Sequence, residues 1–294
     1  MNIYIIGSNG WIGNKMQKLF LNNNIKYICS SFRAENKEIY DDILNNNITH
    51  VFCCSGRTHG KLDNIYYNTI DYLEDIRTTS QNINDNLYAP VSLALFCEKN
   101  NIHFTYIGTG CIFNYDDNHT IENNIGFTEE DEPNFFGSQY SIIKGFTDKL
   151  LKNTNALVLR IRMPLSSDLS DRNFISKIIK YEKICSIKNS MTVLDELLPV
   201  CIEMMKNNEV GIYNFTNSGS ISHNEILELY KDIINPEFNW INFDITEQDK
   251  ILKSKRSNNF LNTSKLEKKY NIKNIKDATI DVLMKMKENM CYFI

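Results

Sequence analysis

The chain has 294 residues, a formal net charge of −4 and 42% hydrophobic residues. This composition is ordinary for a globular protein, and the length allows one large domain or two closely joined ones. No apolar run approaches the roughly 20 residues that a membrane-spanning helix needs. The acidic balance also lacks the basic surface typical of nucleic-acid binding. We therefore expect neither a membrane nor a nucleic-acid partner.

The cysteines and the amino terminus indicate the compartment. The eight cysteines include no Cys-x-x-Cys pair, and no His/Cys spacing resembles a metal site. Residues 1–7 are typical of a buried strand and lack the features of a signal peptide. We expect reduced thiols, no bound metal and a cytoplasmic location.

Strand-like and helix-like stretches alternate from the first residue onward. The predicted strands are residues 2–6, 26–29, 49–54, 102–107, 156–161 and 211–215. The predicted helices are residues 14–22, 41–46, 86–99, 138–152 and 194–205. This rhythm predicts an α/β fold in which a doubly wound parallel sheet of the Rossmann type carries helices on both faces.

Two stretches depart from this alternation, because residues 164–191 and those from about 222 onward contain helical patterns but few strands. Such segments usually gather into a smaller lobe over the carboxyl ends of the strands. The predicted domains are a sheet domain (1–163 and 193–220) and a smaller, mostly helical lobe (164–192 and 221–294). Residues 61–81 are polar and weakly periodic, which predicts a long loop or a partly helical insertion.

A glycine-rich turn follows the first strand and opens the first helix, with the spacing Gly-x-x-Gly-x-x-Gly. The first glycine permits the tight turn, the second lets the backbone approach a pyrophosphate, and the third lets helix pack closely on strand. The helix N-terminus then faces the phosphate charge. The alternative is a glycine turn without a ligand. The residues predicted to bind a dinucleotide are Gly7, Asn9, Gly10, Trp11, Ile12 and Gly13.

The second strand ends in Cys29-Ser30-Ser31-Phe32-Arg33, which contains no acidic residue. A protein that binds NAD normally has Asp or Glu here, bonded to the ribose 2′-hydroxyl. Ser30, Ser31 and Arg33 can instead hold the 2′-phosphate of NADP, since a guanidinium offers paired donors. The sequence therefore favours NADP(H). In the alternative reading, Arg33 lies in solvent.

Tyr140 and Lys144 have the Tyr-x-x-x-Lys spacing that places both side chains on one helical face. A nearby lysine cation is expected to lower the phenol pKa from its ordinary value of about 10. Tyr140 can then pass a proton to a carbonyl oxygen while a hydride reaches the carbon. Thr109 can bond the same oxygen, or it can act as a turn residue.

Together these segments resemble the extended short-chain dehydrogenase/reductases. The resemblance implies that Thr109, Tyr140 and Lys144 are the catalytic trio. It also implies that Tyr140 and Lys144 contact the cofactor and that Asn86 is the family's structural asparagine.

Longer motifs narrow the resemblance: residues 109–113, 126–135, 160–169, 189–199, 214–217 and 222–227. They are similar to the UDP-rhamnose synthases, which are bifunctional 3,5-epimerase/4-reductases known from plants with a giant-virus counterpart. The similarity covers nearly the whole chain. It implies UDP-4-keto-6-deoxy-D-glucose as the substrate, bound by the smaller lobe, UDP-L-rhamnose as the product, and NADPH as the reductant. A viral origin would make the compartment the host cytoplasm.

The same resemblance implies two partners. The 4,6-dehydratase domain that is fused in the plant proteins is absent here, so a separate 4,6-dehydratase is expected to supply the keto-sugar. A homodimer is expected by analogy with relatives.

Epimerisation requires acid–base groups beyond the trio, because a 4-keto group acidifies the hydrogens at C3 and C5. Cys111 lies two residues after Thr109, where related sugar dehydratases place a glutamate. A thiol with a pKa of about 8.5 can exchange protons near neutrality. The resemblance makes Lys177 its partner. The alternative for Cys111 is a small buried thiol without a catalytic role. The alternative for Lys177 is a solvated helical face that it shares with Lys180 and Lys183.

The sugar nucleotide needs anchors as well. Residues 255–261 resemble the segment where relatives hold the UDP diphosphate, and Arg256 is expected to meet it bidentately. Arg162 is the next candidate, or else it forms a buried structural ion pair. Met163 and Asn189 are expected to line the substrate site.

Residues 55–61 and the longer stretch after them depart from the family pattern, which leaves the contacts of this loop open. Two rival functions also remain. One is a 4-reductase without epimerase activity, in which a tyrosine usually replaces Cys111. The other is a non-catalytic binding subunit with the same fold.

Overall fold

The structure, a computed structural model, describes residues 1–291. Its strands are β1 (Asn2–Ile6), β2 (Lys26–Cys29), β3 (His50–Cys53), β4 (Gly60–Leu62), β5 (Ile65–Tyr67), β6 (His103–Thr109), β7 (Leu157–Ile161), β8 (Lys183–Ile184), β9 (Gly211–Asn214) and β10 (Ile241–Asn242). Its α-helices are α1 (Trp11–Asn22), α2 (Glu38–Asn45), α3 (Thr79–Ile83), α4 (Ala89–Lys99), α5 (Gln139–Leu151), α6 (Phe174–Ile178), α7 (Leu194–Lys206), α8 (His223–Ile233), α9 (Ile245–Ile251), α10 (Ser264–Glu267) and α11 (Ile275–Cys291).

Six parallel strands form the central sheet in the order β2–β1–β3–β6–β7–β9. In this sheet β2 lies on one side of β1, and β3, β6, β7 and β9 lie on the other. The carboxyl ends of β1 and β3 therefore border a topological switch point, which is where ligands bind in doubly wound sheets. The predicted α/β architecture is confirmed.

Apolar side chains cover both faces of this sheet, as expected for parallel strands flanked by helices. Along β1, Ile3 and Ile5 point into a cluster with α1 and α7, whereas Tyr4 and Ile6 point into a cluster with α2 and α4. This alternation follows the period of two of a β-strand. The sheet is thereby held between two apolar layers.

A third apolar cluster forms the core of the smaller lobe. It joins Leu165, Ile175 and Met191 to side chains of α8 and α11. In contrast, Leu266 and Tyr270, which the predicted boundaries give to this lobe, pack into the sheet's first cluster. Residues 292–294 of the predicted lobe lie outside the described residues, and the domain boundaries stay a prediction.

The stretch predicted as a long loop or a partly helical insertion begins as a hairpin. We call residues 60–78 the insertion. β4 and β5 pair antiparallel around Asp63 and Asn64, whose φ values of 48° and 67° match a tight hairpin turn. Two 3₁₀ turns follow, Ile70–Glu74 and Ile76–Thr78. The partly helical reading was correct. The hairpin was missed because each of its strands has only three residues.

The described part of the chain offers no membrane helix and no metal cluster. Within residues 1–291, no helix combines the length and the apolar character that crossing a bilayer requires. The same residues bring no three His, Cys, Asp or Glu side chains together in a way that would hold a metal ion.

Candidate active site

The glycine turn lies at the switch point of the sheet. Gly7 adopts a φ of +89°, and a Cβ there would lie 2.8 Å from the backbone nitrogen of Ser55. A Cβ on Gly13 would lie 2.3 Å from the carbonyl oxygen of Gly7. The Gly10 N–H donates to that carbonyl oxygen at 3.0 Å, which closes the turn. These positions require glycine for the backbone to pack this closely.

Helix α1 begins directly after this turn, three residues earlier than predicted. Its N-cap is Gly10, and no side chain caps it. The first N–H groups of the helix therefore remain available to an anion. The Trp11 indole donates to Asp168 at 3.0 Å, which ties the turn to the segment after β7. Asn9 is exposed beside the turn, and Ile12 packs against the sheet.

Arg33 and Ser30 follow β2, as predicted for a 2′-phosphate site. Arg33 forms ion pairs with Glu35 and, at 3.1 Å, with Asp85. Ser30 accepts a hydrogen bond from Tyr4 and donates one to the carbonyl of Phe32, so its hydroxyl already has partners. Sequence reasoning missed one residue here. Arg57, which follows β3, pairs with Asp85 at 2.7 Å and places a second guanidinium beside this position.

Thr109 and Tyr140 meet where β6 ends and α5 begins. Thr109 is the last residue of β6, two residues beyond the predicted strand end, and its hydroxyl accepts the N–H of Cys111 at 3.0 Å. Ser138 caps α5 by accepting the N–H of Ser141, which places Tyr140 in the first turn. The Thr109 hydroxyl is near enough to the Tyr140 phenol to lower its pKa, which opposes the effect of burial.

The pKa of Tyr140 is raised, whereas the sequence predicted that Lys144 would lower it. Burial is the largest cause, and the nearby Cys111 adds to it. Lys144 does not offset these effects, because its ammonium donates to the hydroxyl of Tyr106 and lies 4.4 Å from the centre of that ring. At neutral pH the Tyr140 phenol therefore keeps its proton.

Lys144 is only 4% exposed, and burial lowers its pKa to about 8. Its partner Tyr106 is also buried, and burial raises the pKa of that phenol. Sequence reasoning missed Tyr106. The only signal for it was that Tyr106 lies on the predicted strand three residues before Thr109.

Cys111 lies in the turn after β6, partly exposed. Its thiol is close enough to Tyr140, Lys144 and Arg162 to act on the pKa of each. Cys111 therefore belongs to the same cluster as the predicted reductase pair.

Arg162 holds the turn that carries Cys111. It is 1% exposed and donates to the Gly110 carbonyl at 3.1 Å and to the Ser257 hydroxyl at 2.9 Å. Asn259 donates to the same carbonyl at 2.9 Å. Arg162 is thus buried and structural, but the ion pair expected as its alternative role is not found, because its hydrogen-bond partners among the described residues are all neutral.

Asn189 helps to hold Arg162 in place by accepting a hydrogen bond from it. Its carbonyl oxygen accepts from Arg162 at 2.6 Å and from the Asn259 N–H at 2.9 Å. Its amide group donates to Asn258 and to the carbonyl of Ile187. The protein uses every hydrogen-bonding position of this amide. A direct bond from Asn189 to a substrate, which stays a prediction, would require one of these bonds to break.

Lys177 lies on the short helix α6 and is partly buried. Burial lowers its pKa, and the neighbouring Arg172 and Arg256 lower it further. The alternative of a solvated face shared with Lys180 and Lys183 does not hold, because α6 ends at Ile178 before either residue. The pairing of Lys177 with Cys111 stays a prediction.

Met163 and Arg256 lie in two connecting segments, the first after β7 and the second between α9 and α10. Met163 follows β7 with a φ of +36°, a left-handed conformation that bulky side chains rarely adopt. Arg256 forms an ion pair with Asp71 of the insertion at 2.9 Å. The insertion therefore contacts Arg256, the residue that was predicted to hold a diphosphate.

The switch-point sheet, the glycine turn and the grouped Thr109, Tyr140 and Lys144 define an oxidoreductase of the short-chain dehydrogenase/reductase class. Residues 1–276 match the family described as the RmlD substrate binding domain. The chain belongs to that family.

Two similar proteins align over nearly the full chain. An uncharacterized protein, L780, from Acanthamoeba polyphaga mimivirus is 45% identical over 98% of this chain and 99% of its own. A bifunctional dTDP-4-dehydrorhamnose 3,5-epimerase/dTDP-4-dehydrorhamnose reductase from Arabidopsis thaliana is 45% identical over 100% of this chain and 92% of its own.

Solved structures agree with this placement. The crystal structure of the L780 UDP-rhamnose synthase from the mimivirus matches with a TM-score of 0.92 at 44% identity, over 97% of this chain and 99% of that one. A dTDP-4-dehydrorhamnose reductase from Bacillus anthracis in complex with NADP matches with a TM-score of 0.78 at 14% identity, over 97% and 99%. The second likeness shows the fold.

Proposed function

We propose that this protein converts UDP-4-keto-6-deoxy-D-glucose into UDP-L-rhamnose by 3,5-epimerisation followed by reduction of the C4 ketone. The observation that carries the proposal is the position of Cys111, whose N–H donates to Thr109 and whose thiol is near enough to Tyr140 and Lys144 to act on the pKa of each. A reductase needs only the tyrosine and lysine, whereas an epimerase also needs a group that exchanges protons at carbon. The mimivirus UDP-rhamnose synthase and the Arabidopsis bifunctional epimerase/reductase support the same reaction, and the chain aligns with both over nearly their full length.

The glycine turn fits a dinucleotide cofactor, because Gly7 and Gly13 leave no space for a Cβ and the start of α1 is uncapped. We take the cofactor to be NADPH, since Arg33 and Arg57 come together on Asp85 after β2 and β3 and no acidic residue ends β2. When bound, NADPH supplies the hydride that reduces the ketone.

The side chains then divide the proton chemistry. A base removes the proton from C5 or C3 of the keto-sugar to give an enolate, and an acid returns a proton to the opposite face, so that each epimerisation is an isomerisation. We assign these roles to Cys111 and Lys177. Tyr140 and Thr109 donate hydrogen bonds to the enolate oxygen. In the final step Tyr140 gives its proton to the C4 oxygen.

Two partners complete the proposal. A separate 4,6-dehydratase supplies the keto-sugar. This agrees with the Arabidopsis trifunctional relative, whose name includes a UDP-glucose 4,6-dehydratase and of which this chain covers 41%.

The second partner is another copy of this chain. Two copies pair through α4 and α5, whose outer faces expose Leu95, Phe146 and Leu150 by about half. Light scattering on the purified protein tests the dimer, and a monomeric mass would contradict it.

The test of function is incubation of the purified protein with UDP-4-keto-6-deoxy-D-glucose and NADPH, with the product stereochemistry determined by NMR. UDP-L-rhamnose is expected. Unchanged substrate would refute the function. A product reduced at C4 without inversion at C3 and C5 would leave only the 4-reductase alternative.

A further inference from the structure

The first 3₁₀ turn of the insertion, Ile70–Glu74, contacts both Arg256 and the start of α5. Asp71 lies in it, with a side chain that is 13% exposed. One carboxylate oxygen accepts the N–H and the hydroxyl of Ser254 at 2.9 and 2.7 Å. The other accepts the Thr69 hydroxyl at 2.9 Å. Asp71 is thus held in one orientation by neutral donors from both its own turn and the segment that precedes Arg256.

The same carboxylate orients the guanidinium of Arg256. The two terminal nitrogens of Arg256 donate to the two oxygens of Asp71 at 3.3 and 2.9 Å. One of these nitrogens also donates to the Ser254 carbonyl at 3.1 Å and to its hydroxyl. Burial alone would raise the pKa of Asp71, but hydrogen bonds from Arg256 and Ser254 lower it to about 2, so this carboxylate stays ionised in the working pH range.

This arrangement leaves one edge of the guanidinium unused. A guanidinium has five N–H donors, and Asp71 takes those at its terminal edge. Within residues 1–291 the Nε–H of Arg256 makes no hydrogen bond, and neither does the second proton of the nitrogen beside it. These two donors form the side edge, which is the geometry that binds a phosphate or carboxylate bidentately.

The other end of the turn fixes the catalytic helix. Glu74 accepts the N–H of Gln139 at 2.9 Å, and Gln139 is the first residue of α5. An acidic side chain at a helix N-terminus is favourable because it meets the positive end of the helix dipole. The next residue is Tyr140. One short turn of the insertion therefore holds both Arg256 and the helix that carries the proton donor.

We propose that Asp71 is a positioning residue that presents the side edge of Arg256 to the diphosphate of the nucleotide sugar. The inference rests on the proposed function, since it takes the substrate to be a sugar nucleotide. Asp71 itself does not touch the substrate. It acts by fixing the plane of the guanidinium, which reduces the ordering that binding would otherwise require.

The test compares Asp71→Asn with Asp75→Asn. Asp75 is a matched control, because it lies in the same insertion and pairs with Arg77 at 2.7 Å on the surface. Asp71→Asn is expected to raise the KM for the nucleotide sugar and the Kd for UDP about tenfold, the effect of one charge-assisted hydrogen bond. Its kcat and its Kd for NADPH stay within twofold of wild type, and Asp75→Asn changes none of these values.

Two further variants show that Asp71 works through Arg256. In an Arg256→Gln background, Asp71→Asn should add no further loss of UDP affinity. Asp71→Glu, which keeps the carboxylate, should recover part of the affinity. The proposal is overturned if Asp71→Asn leaves the UDP affinity unchanged, if its loss persists in full without Arg256, or if kcat and NADPH binding fall with KM.

The UDP measurement separates the two proposals. A wild-type protein that binds UDP but does not turn over the keto-sugar refutes the proposed function and leaves the role of Asp71 to be judged by UDP titration. A wild-type protein that makes UDP-L-rhamnose, with an Asp71→Asn variant of unchanged KM, refutes only the role of Asp71.

Discussion

Replacing Lys144 with methionine is expected to stabilise the protein at neutral pH while it removes the reductase activity. Lys144 is 4% exposed, and burial lowers its pKa to about 8 from an ordinary 10.5. Keeping this ammonium charged at pH 7 costs about 3 kcal/mol. The hydrogen bond to the Tyr106 hydroxyl and the contact with its ring are lost in the variant, so the net gain is smaller than this. Methionine has a similar length and carries no charge.

The sign of the pH dependence follows from the protons bound. Between about pH 8 and 10.5 the folded protein binds fewer protons at Lys144 than the unfolded chain does, so this group makes the wild type more stable as the pH rises. Lys144→Met lacks that contribution. Its stability relative to wild type should therefore fall by about 2 kcal/mol between pH 7 and roughly pH 9.5.

Urea unfolding of both proteins at the two pH values measures this difference. Lys149→Met is the control, because Lys149 lies on the same helix but is largely exposed, in an ion pair with Glu132. Its stability relative to wild type should vary little with pH. If the free energy of unfolding changes equally with pH in wild type and Lys144→Met, the conclusion that the buried Lys144 charge destabilises the fold is wrong.

Three further substitutions test the site. Tyr140→Phe should slow reduction by about 10²–10⁴-fold, followed by NADPH absorbance, with NADPH affinity kept as the sign of an intact fold. Cys111→Ala should abolish solvent-deuterium incorporation at C3 or C5 by NMR, and normal exchange would exclude this thiol as the epimerase group. Gly13→Ala should prevent NADPH binding in a fluorescence titration, because its Cβ would lie 2.3 Å from the Gly7 carbonyl oxygen. Gly145→Ala, whose nearest contact is 3.3 Å, should bind normally.

The sheet was predictable because its signals are local. Buried runs such as β1 and the glycine turn after it are contiguous in sequence, and the period of two along β1 matches the two apolar layers. The hairpin of the insertion was not predictable, because its strands are three residues long and half exposed. Pattern recognition needs more residues than such strands provide.

The site was predictable only as far as its residues share a motif. Tyr140 and Lys144 lie on one helix at fixed spacing, so the sequence alone joins them. The role of Arg162 depends on Gly110 and Ser257, which are 52 and 95 residues away in sequence. Asp71 meets Arg256 across 185 residues. No spacing rule connects such segments, because the fold brings them together.

The pKa of Tyr140 shows what this distinction means for the chemistry. Motif reasoning predicts a lysine that drives the phenol towards the phenolate, as a base requires. In the fold, burial raises the pKa of Tyr140. The ammonium of Lys144 donates its hydrogen bond to Tyr106 instead, so the Tyr140 phenol stays protonated. A protonated phenol can stabilise an enolate oxygen and then give its proton to the C4 oxygen, as both proposed steps need.

This leads to a last prediction. The ultraviolet difference spectrum between wild type and Tyr140→Phe, recorded without substrate, should show no phenolate from Tyr140 below pH 10, since burial raises its pKa. A loss of activity near pH 8 would then report Lys144, whose pKa is about 8. A Tyr140 phenolate signal that grows in near neutrality would contradict the assignment of this residue as the acid.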